Sequence, residues 1–348
     1  MNPIIREDLE LIVCAKIPWD ILEGKNILIS GANGFLPAYM VETILFLNDQ
    51  RFRKKAKVFA LVRNKERALD RFSFYIGRKD IEYIIQDVCV PVREKIHFDF
   101  IIHAASQASP KYYGIDPVGT ISANTIGTAN LLNIAVNNKS ECLLFFSSGE
   151  VYGKIKKEDM PMKESKYGYI DPIAIRSCYA EGKRAGENMC ISWNKQFGQP
   201  VKIIRPFHTY GPGMRFDDGR VYADFISDII FNRNIKIKSD GKAIRAFCYL
   251  ADAVAGFFTV LLKGENTHAY NIGNEEGEIS IRDLANMLVS IFPEKGLKVE
   301  MNAKLNREDY IKSNVSYNSP NTSKLRNLGW KPYYSLEEGF KRTVKSFL

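Results

Sequence analysis

Residues Ile29 to Met40 read ISGANGFLPAYM. Gly31 and Gly34 follow an apolar run, Lys25 to Ser30, that suits a buried parallel strand. They precede LPAYMVETILFLND, whose apolar residues recur at helical spacing. A strand, a glycine turn and a helix in this order form the context of a dinucleotide-binding site. Gly31 lets the chain turn sharply, and Gly34 lets backbone approach a pyrophosphate. The helix start offers free N–H groups and a positive dipole end. Pro37 stands where a third glycine is expected. Proline has no N–H and a preset helical φ, so a first helical turn accommodates it. The candidate cofactor contacts here are Gly31, Asn33, Gly34, Phe35 and Leu36.

The pattern repeats outward. Strands are predicted at Lys57–Asn64, Ile81–Val88, Phe98–Ser106, Cys142–Ser148 and Val201–Pro206. Helices are predicted at Thr120–Asn138 and Cys178–Gly198. Strands alternating with helices indicate an α/β fold, a Rossmann-like doubly wound parallel sheet. After about Tyr210 the pattern becomes irregular and more polar. The expected organisation is a leader over 1–24, with a short helix ending near Pro18. A mainly dinucleotide-binding domain follows over 25–210. A smaller α/β substrate lobe occupies 211–348, with segments returning to the first domain.

Composition narrows the class. The 348 residues are 45% hydrophobic and 26% charged, which is ordinary globular usage. No apolar run nears the roughly 18 residues that span a bilayer. The first residues, MNPIIREDLELIVCAKIPWD, contain acids and lack a signal-peptide pattern, so a cytoplasmic protein without membrane insertion is expected. The six cysteines are scattered, with no C-x-x-C pair, and read as free thiols rather than a disulfide or zinc framework; no metal site is expected. The net charge is +9, partly clustered in RFRKK, Arg51 to Lys55. That run reads as a solvated helix end or as general attraction for an anionic substrate. Dispersed basic residues without a recognition module argue against nucleic acid.

The strand ends supply further cofactor candidates: Arg63, Asp87, Val88 and Ala104. The second strand ends in LVRNKER, without the usual acid for the ribose diol. Arg63 could hold a 2′-phosphate, favouring NADP, or stack on adenine and leave NAD acceptable. Asp87 reads either as a partner for the adenine amino group or as a capping aspartate. CYAEGK places Tyr179 and Lys183 four apart on one helix face. An ammonium beside a phenol favours the phenolate, so Tyr179 is expected to act as a general base toward a sugar hydroxyl. Lys183 can also bind the nicotinamide ribose. Upstream, Ser148 in FFSSGEVYG can align the substrate oxygen.

From Lys25 onward the chain resembles an extended short-chain dehydrogenase/reductase of the nucleotide-sugar epimerase/dehydratase family. The marks, in family order, are GANGFLP, IIHAASQASP, NTIGTANLL, SSGEVYG, CYAEGKRAGE, IIRPFHTYGPGM, DDGRVYADFI and DGKAIRAFCYLAD. The nearest subgroup pattern is that of UDP-glucuronate decarboxylases. The resemblance implies a triad of Ser148, Tyr179 and Lys183 and oxidation of a sugar C4 hydroxyl by bound NAD. It implies a nucleotide-diphosphate sugar as substrate, with contacts from Ser109, Arg220 and Arg245. It implies a homodimer through the helices carrying NTIGTANLL and Tyr179.

The departures are informative. His208 replaces the asparagine of the family's R-x-F-N-x-Y-G-P, and Ser239 replaces a glycine ahead of Arg245. Gly149 stands where dehydratases carry an aspartate that protonates the leaving 6-hydroxyl, and where a serine is common in decarboxylases. Glu150 matches the glutamate that removes the C5 proton in dehydratases; the plain reading is a carboxylate paired with a nearby cation. The leading expectation is a nucleotide-sugar epimerase acting through a transient 4-keto intermediate. A UDP-glucuronate decarboxylase comes next, then a 4,6-dehydratase, then an NADP-dependent ketosugar reductase. A non-catalytic cofactor-sensing protein is the alternative of another class, and the intact Ser148, Tyr179 and Lys183 argue against it.

Overall fold

Alternation along the strands builds two hydrophobic layers. Ile27 and Ile29 face one core, with Val58, Ala60, Ile102 and Leu144. Leu28 faces the other, with Phe59, Leu61, Ile101 and Leu143. A sheet apolar on both faces needs helices on both, as in a doubly wound fold. The computed structural model describes residues 1–92, 96–301 and 317–348.

The first half of the chain comprises α1 (Pro3–Cys14), β1 (Asn26–Ser30), α2 (Phe35–Gln50), β2 (Lys57–Val62), α3 (Lys65–Arg71) and β3 (Ile81–Ile85). It continues with β4 (Phe100–His103), α4 (Pro110–Tyr113), α5 (Pro117–Asn138), β5 (Cys142–Phe146), α6 (Ser177–Phe197) and β6 (Val201–Pro206). Then come β7 (His208–Tyr210), α7 (Val221–Ile230), β8 (Ile235–Ile237), β9 (Ile244–Tyr249), α8 (Leu250–Lys263) and β10 (Ala269–Ile272). The last elements are β11 (Glu278–Ser280), α9 (Ile281–Ile291), β12 (Val299–Met301), β13 (Tyr317–Asn318), α10 (Ser323–Arg326) and α11 (Leu336–Lys345).

The main sheet runs in the order β10-β6-β5-β4-β1-β2-β3, and all its pairs are parallel. The winding reverses between β1 and β4, so a crevice opens at their carboxyl ends, where open α/β sheets bind ligands. α1, α2 and α8 pack on one face; α5 and α6 pack along each other on the opposite one. A smaller sheet, β11-β9-β13 with β7 on β9, and a two-stranded pair, β12-β8, stand beside it.

Four predicted strands overran, each for a local reason. Lys57–Asn64 ends at Val62, because Asn64 caps α3 and its side chain accepts the Arg67 N–H at 2.8 Å. Ile81–Val88 ends at Ile85, because Asp87 Oδ1 accepts the Cys89 N–H at 2.8 Å and bends the chain. Phe98–Ser106 ends at His103, because the Ala104 and Ala105 N–H groups turn to the Ser30 hydroxyl. Cys142–Ser148 ends at Phe146, after which Ser147 Oγ donates to Glu187.

The first residues, read as a leader, are built into the core. Asp8 is fully buried on α1. It accepts bonds from Arg342 on α11 at 2.8 Å, Tyr249 at 2.7 Å and Tyr39 at 3.1 Å. Burial lifts its pKa from 3.8 to about 6, with Tyr249 and Arg342 pulling it back. The RFRKK run sits at the C-terminal end of α2, away from the glycine turn. Arg51 pairs with Asp20 at 2.9 Å, and Lys55 lies 3.6 Å from Asp49. A helix of 16 residues is about 24 Å long, so the run anchors the far end of α2 rather than drawing substrate to the crevice. The six cysteines are free thiols. Among the described residues no helix is long and apolar enough to cross a membrane.

Arg342→Met should leave the Asp8 carboxylate buried without its cation and destabilise the fold by about 3–5 kcal/mol. The folded chain holds the Asp8 proton more tightly than the unfolded chain does. Its contribution is therefore full below pH 3.8 and lost as pH rises through about 6. The loss in Arg342→Met should be larger at pH 7.5 than at pH 5. Urea unfolding at both values checks this, and equal losses would refute it.

Candidate active site

The glycine turn is shaped by close backbone approach. Gly31 has φ +66°, and a Cβ there would lie 2.8 Å from the Ala105 Cα. Gly34 caps α2 with an ordinary φ of −70°, and its N–H bonds the Gly31 carbonyl at 2.7 Å. Pro37 is the third residue of the helix, where no N–H is needed, as expected from its position. Phe35 and Leu36 are partly buried against the core, and Asn33 is partly exposed in the turn. Ser30, a residue absent from the sequence reading, joins the two sides of the crevice. Its Oγ accepts the N–H groups of Ala104 and Ala105, each at 3.1 Å, and lies 2.8 Å from His103 Nδ1. His103 Nε2 meets Thr128 Oγ1 at 3.1 Å, and that hydroxyl donates to the Asn124 carbonyl. The network therefore assigns the proton to Nε2 and makes Nδ1 the acceptor of the Ser30 proton.

At the adenine end, Arg63 lies 3.6 Å from Asp87. The cation that would hold a 2′-phosphate is already faced by a carboxylate, which weakens the case for NADP. Asp87 also caps its own turn, the plainer of its two readings. Val88 is buried, and a Cβ on Gly127 would meet its side chain at 2.7 Å. These residues fit a dinucleotide: a sharp turn, a helix start and small residues lining the switch point.

α6 carries Tyr179 and Lys183 to the end of β5, where Ser148 begins a short 3₁₀ turn. Tyr179 is nearly buried and stacks on Tyr113 of α4, with centroids 5.1 Å apart at 15°. Tyr113 was not singled out in the sequence. Its hydroxyl donates to the Ala108 carbonyl at 3.1 Å, fixing the loop that carries it. Lys183 is buried, donates to the Phe146 carbonyl and sits 5.7 Å from the Tyr179 ring centre. The expected lowering of the tyrosine pKa by this lysine is not found. Burial pushes Tyr179 up to about 12, hydrogen bonding with Ser148 offsets part of that, and Glu150 adds to the rise. Burial also brings Lys183 down to about 7, and Glu187 opposes the fall. In the chain by itself Tyr179 is therefore a neutral phenol.

Gly149 and Glu150 follow. A Cβ on Gly149 would stand 3.2 Å from the Phe207 ring, so an aspartate or serine here would require that ring to shift. Glu150 N–H bonds Ser148 Oγ at 3.1 Å. Its carboxylate lies 3.5 Å from Arg176, a cation the sequence reading did not name. Burial raises the Glu150 pKa, and Arg176 and then Arg220 oppose the rise. Arg176 stands just before α6, and its Nε is buried without a partner among the described residues.

The remaining candidates come from α4, β7, α7 and β9. Ser109 caps α4, and its hydroxyl donates to the Asp218 carbonyl at 2.6 Å, so it ties two loops together. Arg220, at the start of α7, donates to the Ala108 carbonyl at 2.9 Å and lies 3.1 Å from Asp218. Arg245 lies on β9 and donates to the Ile244 carbonyl at 2.8 Å. Both arginines act electrostatically on His208, at the start of β7.

Comparison with known proteins gives the family and the fold. Residues 27–273 match the NAD dependent epimerase/dehydratase family. UDP-glucuronic acid decarboxylase 5 of Arabidopsis thaliana is 34% identical over 92% of this chain and 89% of its own. UDP-glucuronic acid decarboxylase 1 of Xenopus tropicalis is 33% identical over 93% and 72%. Among solved structures, a UDP-glucuronic acid 4-epimerase from Bacillus cereus superposes with a TM-score of 0.76 at 21% identity, covering 92% of this chain and 98% of that one. A UDP-N-acetylglucosamine 4-epimerase from Methanobrevibacter ruminantium gives 0.78 at 22%, covering 93% and 98%. At those identities the structures share the fold.

Gly31→Ala should weaken NAD binding at least about tenfold, a change of roughly 1.4 kcal/mol. Its φ is strained for alanine and its Cβ strikes backbone. Gly34→Ala should cost less, because its φ is ordinary. Calorimetry with NAD ranks the two, and unchanged affinity in both would show that the turn does not hold the cofactor. Tyr179→Phe should cut turnover roughly a hundred- to ten-thousandfold while leaving NAD affinity near that of the parent. Steady-state rates beside the same calorimetry separate the two effects.

Proposed function

The chain belongs to the NAD dependent epimerase/dehydratase family, and we propose that it oxidises C4 of a UDP-linked uronic acid and releases the carboxyl group as carbon dioxide. One observation carries the reading: the Glu150 carboxyl, a third exposed at the end of β5, stands beside Gly149, which has no side chain, and burial raises its pKa. The UDP-glucuronic acid decarboxylases among the relatives support it.

The chemistry follows from what each residue can do. Ser148 holds the C4 oxygen, and Tyr179 takes its proton as the carbonyl forms. NAD would supply the hydride acceptor, and later the donor, for C4, and its positive ring would favour an ionised Tyr179. Lys183, beneath the tyrosine ring, offers its ammonium to the nicotinamide ribose. A ketone at C4 makes the uronic carboxylate a β-keto acid. The C5–C6 bond breaks, its electrons pass into the C4–C5 enolate, and carbon dioxide leaves. Glu150 delivers a proton to C5. Tyr179 gives its proton back to the C4 oxygen as the ketone is reduced. Dehydration would need an acid at the departing 6-hydroxyl, and Gly149 with Phe207 against it supplies none.

The Glu150–Arg176 pair favours a second reading, the C4 epimerase. If Arg176 holds Glu150 as a structural carboxylate, C5 is not served and the ketone is reduced from its other face. We further propose a homodimer through the outer faces of α5 and α6, where Ile126 is half exposed.

NAD-loaded protein incubated with UDP-glucuronic acid in deuterated water should yield a product lighter by carbon dioxide, with deuterium at C5. Glu150→Gln should slow that release about a hundredfold or more, while single-turnover reduction of the nicotinamide persists. An unchanged mass with inverted C4 would establish the epimerase, and loss of water would sink both readings.

A further inference from the structure

His208 stands at the start of β7, whose partner β9 sets His208 opposite Phe247. Residues two apart on a strand share a face, so Arg245 lies on the side of the sheet that Phe247 and His208 occupy. The imidazole rests 5.7 Å from the Phe247 ring. Arg220 is drawn to the same place by Tyr222, to which it donates at 3.2 Å; Tyr222 in turn donates to the Thr209 carbonyl at 3.0 Å. The charged groups acting on His208 are therefore Arg245 from β9 and Arg220 from the start of α7, with Asp218 3.1 Å from Arg220. His208 Nε2 is buried and has no hydrogen-bond partner among the described residues. A buried polar nitrogen left unmatched is unusual in a folded chain and calls for a partner.

We propose that His208 takes up a proton when the diphosphate of a nucleotide sugar binds between Arg220 and Arg245, so that substrate affinity is coupled to pH. The proposal rests on the nucleotide-sugar reading given above. Burial, then Arg245, then Arg220 hold the free imidazole down to about 3, so it is neutral at any working pH. A bound diphosphate reverses the sign of the local field: two negative charges offset both guanidinium groups, and an opposite charge within about 4–6 Å favours the protonated ring. The proton comes from solvent, and the Nε2–H so formed has a phosphate oxygen to donate to. A group whose pKa rises on binding strengthens binding on the acid side and loses that gain as pH passes through its value in the complex. An asparagine at this position would donate as well but could not titrate.

Titration of NAD-loaded protein with UDP-glucose, whose diphosphate is fully ionised and does not titrate near neutrality, tests this. At pH 5.5 the binding enthalpy should vary with the ionisation enthalpy of the buffer, with a slope that reports proton uptake. Affinity should rise as pH falls, by at most about tenfold per unit, the limit for one proton. His208→Asn should still bind the sugar nucleotide but lose both the buffer dependence and the pH slope. Binding without proton uptake in the parent, or the same uptake in His208→Asn, overturns the proposal alone. No binding of UDP-glucose or UDP-glucuronic acid by the parent overturns the nucleotide-sugar reading and this proposal with it.

Discussion

The crevice depends on one hydroxyl. Ser30 ends β1 and collects two backbone N–H groups from the chain leaving β4. That drawing together leaves no space for a Cβ at Gly31. The arrangement requires a neutral His103, because only a ring with a bare Nδ1 can accept the Ser30 proton. Burial, with Lys183 as a second cause, holds that ring down to about 3. The lysine that serves the catalytic end of the site thus also helps keep the cofactor end in register.

The second constraint is the seating of α6. A Cβ on Gly186 would lie 2.4 Å from the Phe145 ring and 2.9 Å from the Asn124 carbonyl. The helix is pressed against both α5 and the sheet, which lets Lys183 reach the end of β5 and places Tyr179 under Tyr113. Positions fixed by packing on rigid elements keep catalytic groups within the small tolerances that proton transfer needs.

Much of this was legible in the residues. Strands buried on both faces announce themselves as apolar runs, and Val201–Pro206 was read to its exact ends. Gly31, Gly34, Ser148, Tyr179 and Lys183 sit in short patterns whose spacing is set by local geometry. Partners from distant segments were not legible. Tyr113, Arg176 and Phe207 meet the site only after the chain has folded, and none lies at a telling spacing from it. The rise of the tyrosine pKa on burial escapes the sequence for the same reason. Sequence spacing shows that Lys183 shares a face with Tyr179, but not that both are buried or that the ammonium is turned to a carbonyl.

The Asp8–Arg342 contact joins residues 334 positions apart. Its consequence lies in the order of assembly on the ribosome. α1 is made before α11 and carries a carboxylate that the core will enclose, but its cation is made only 334 residues later. Until then the surface of α1 that meets α8 and α11 must stay hydrated, and closing so long a loop carries a slowly growing entropic cost. The sheet can form around β1 and β2 from near neighbours, whereas the sealing of the helical layer waits for α11. Such long-range closure slows folding relative to local pairing. α11 therefore acts as a latch on α1.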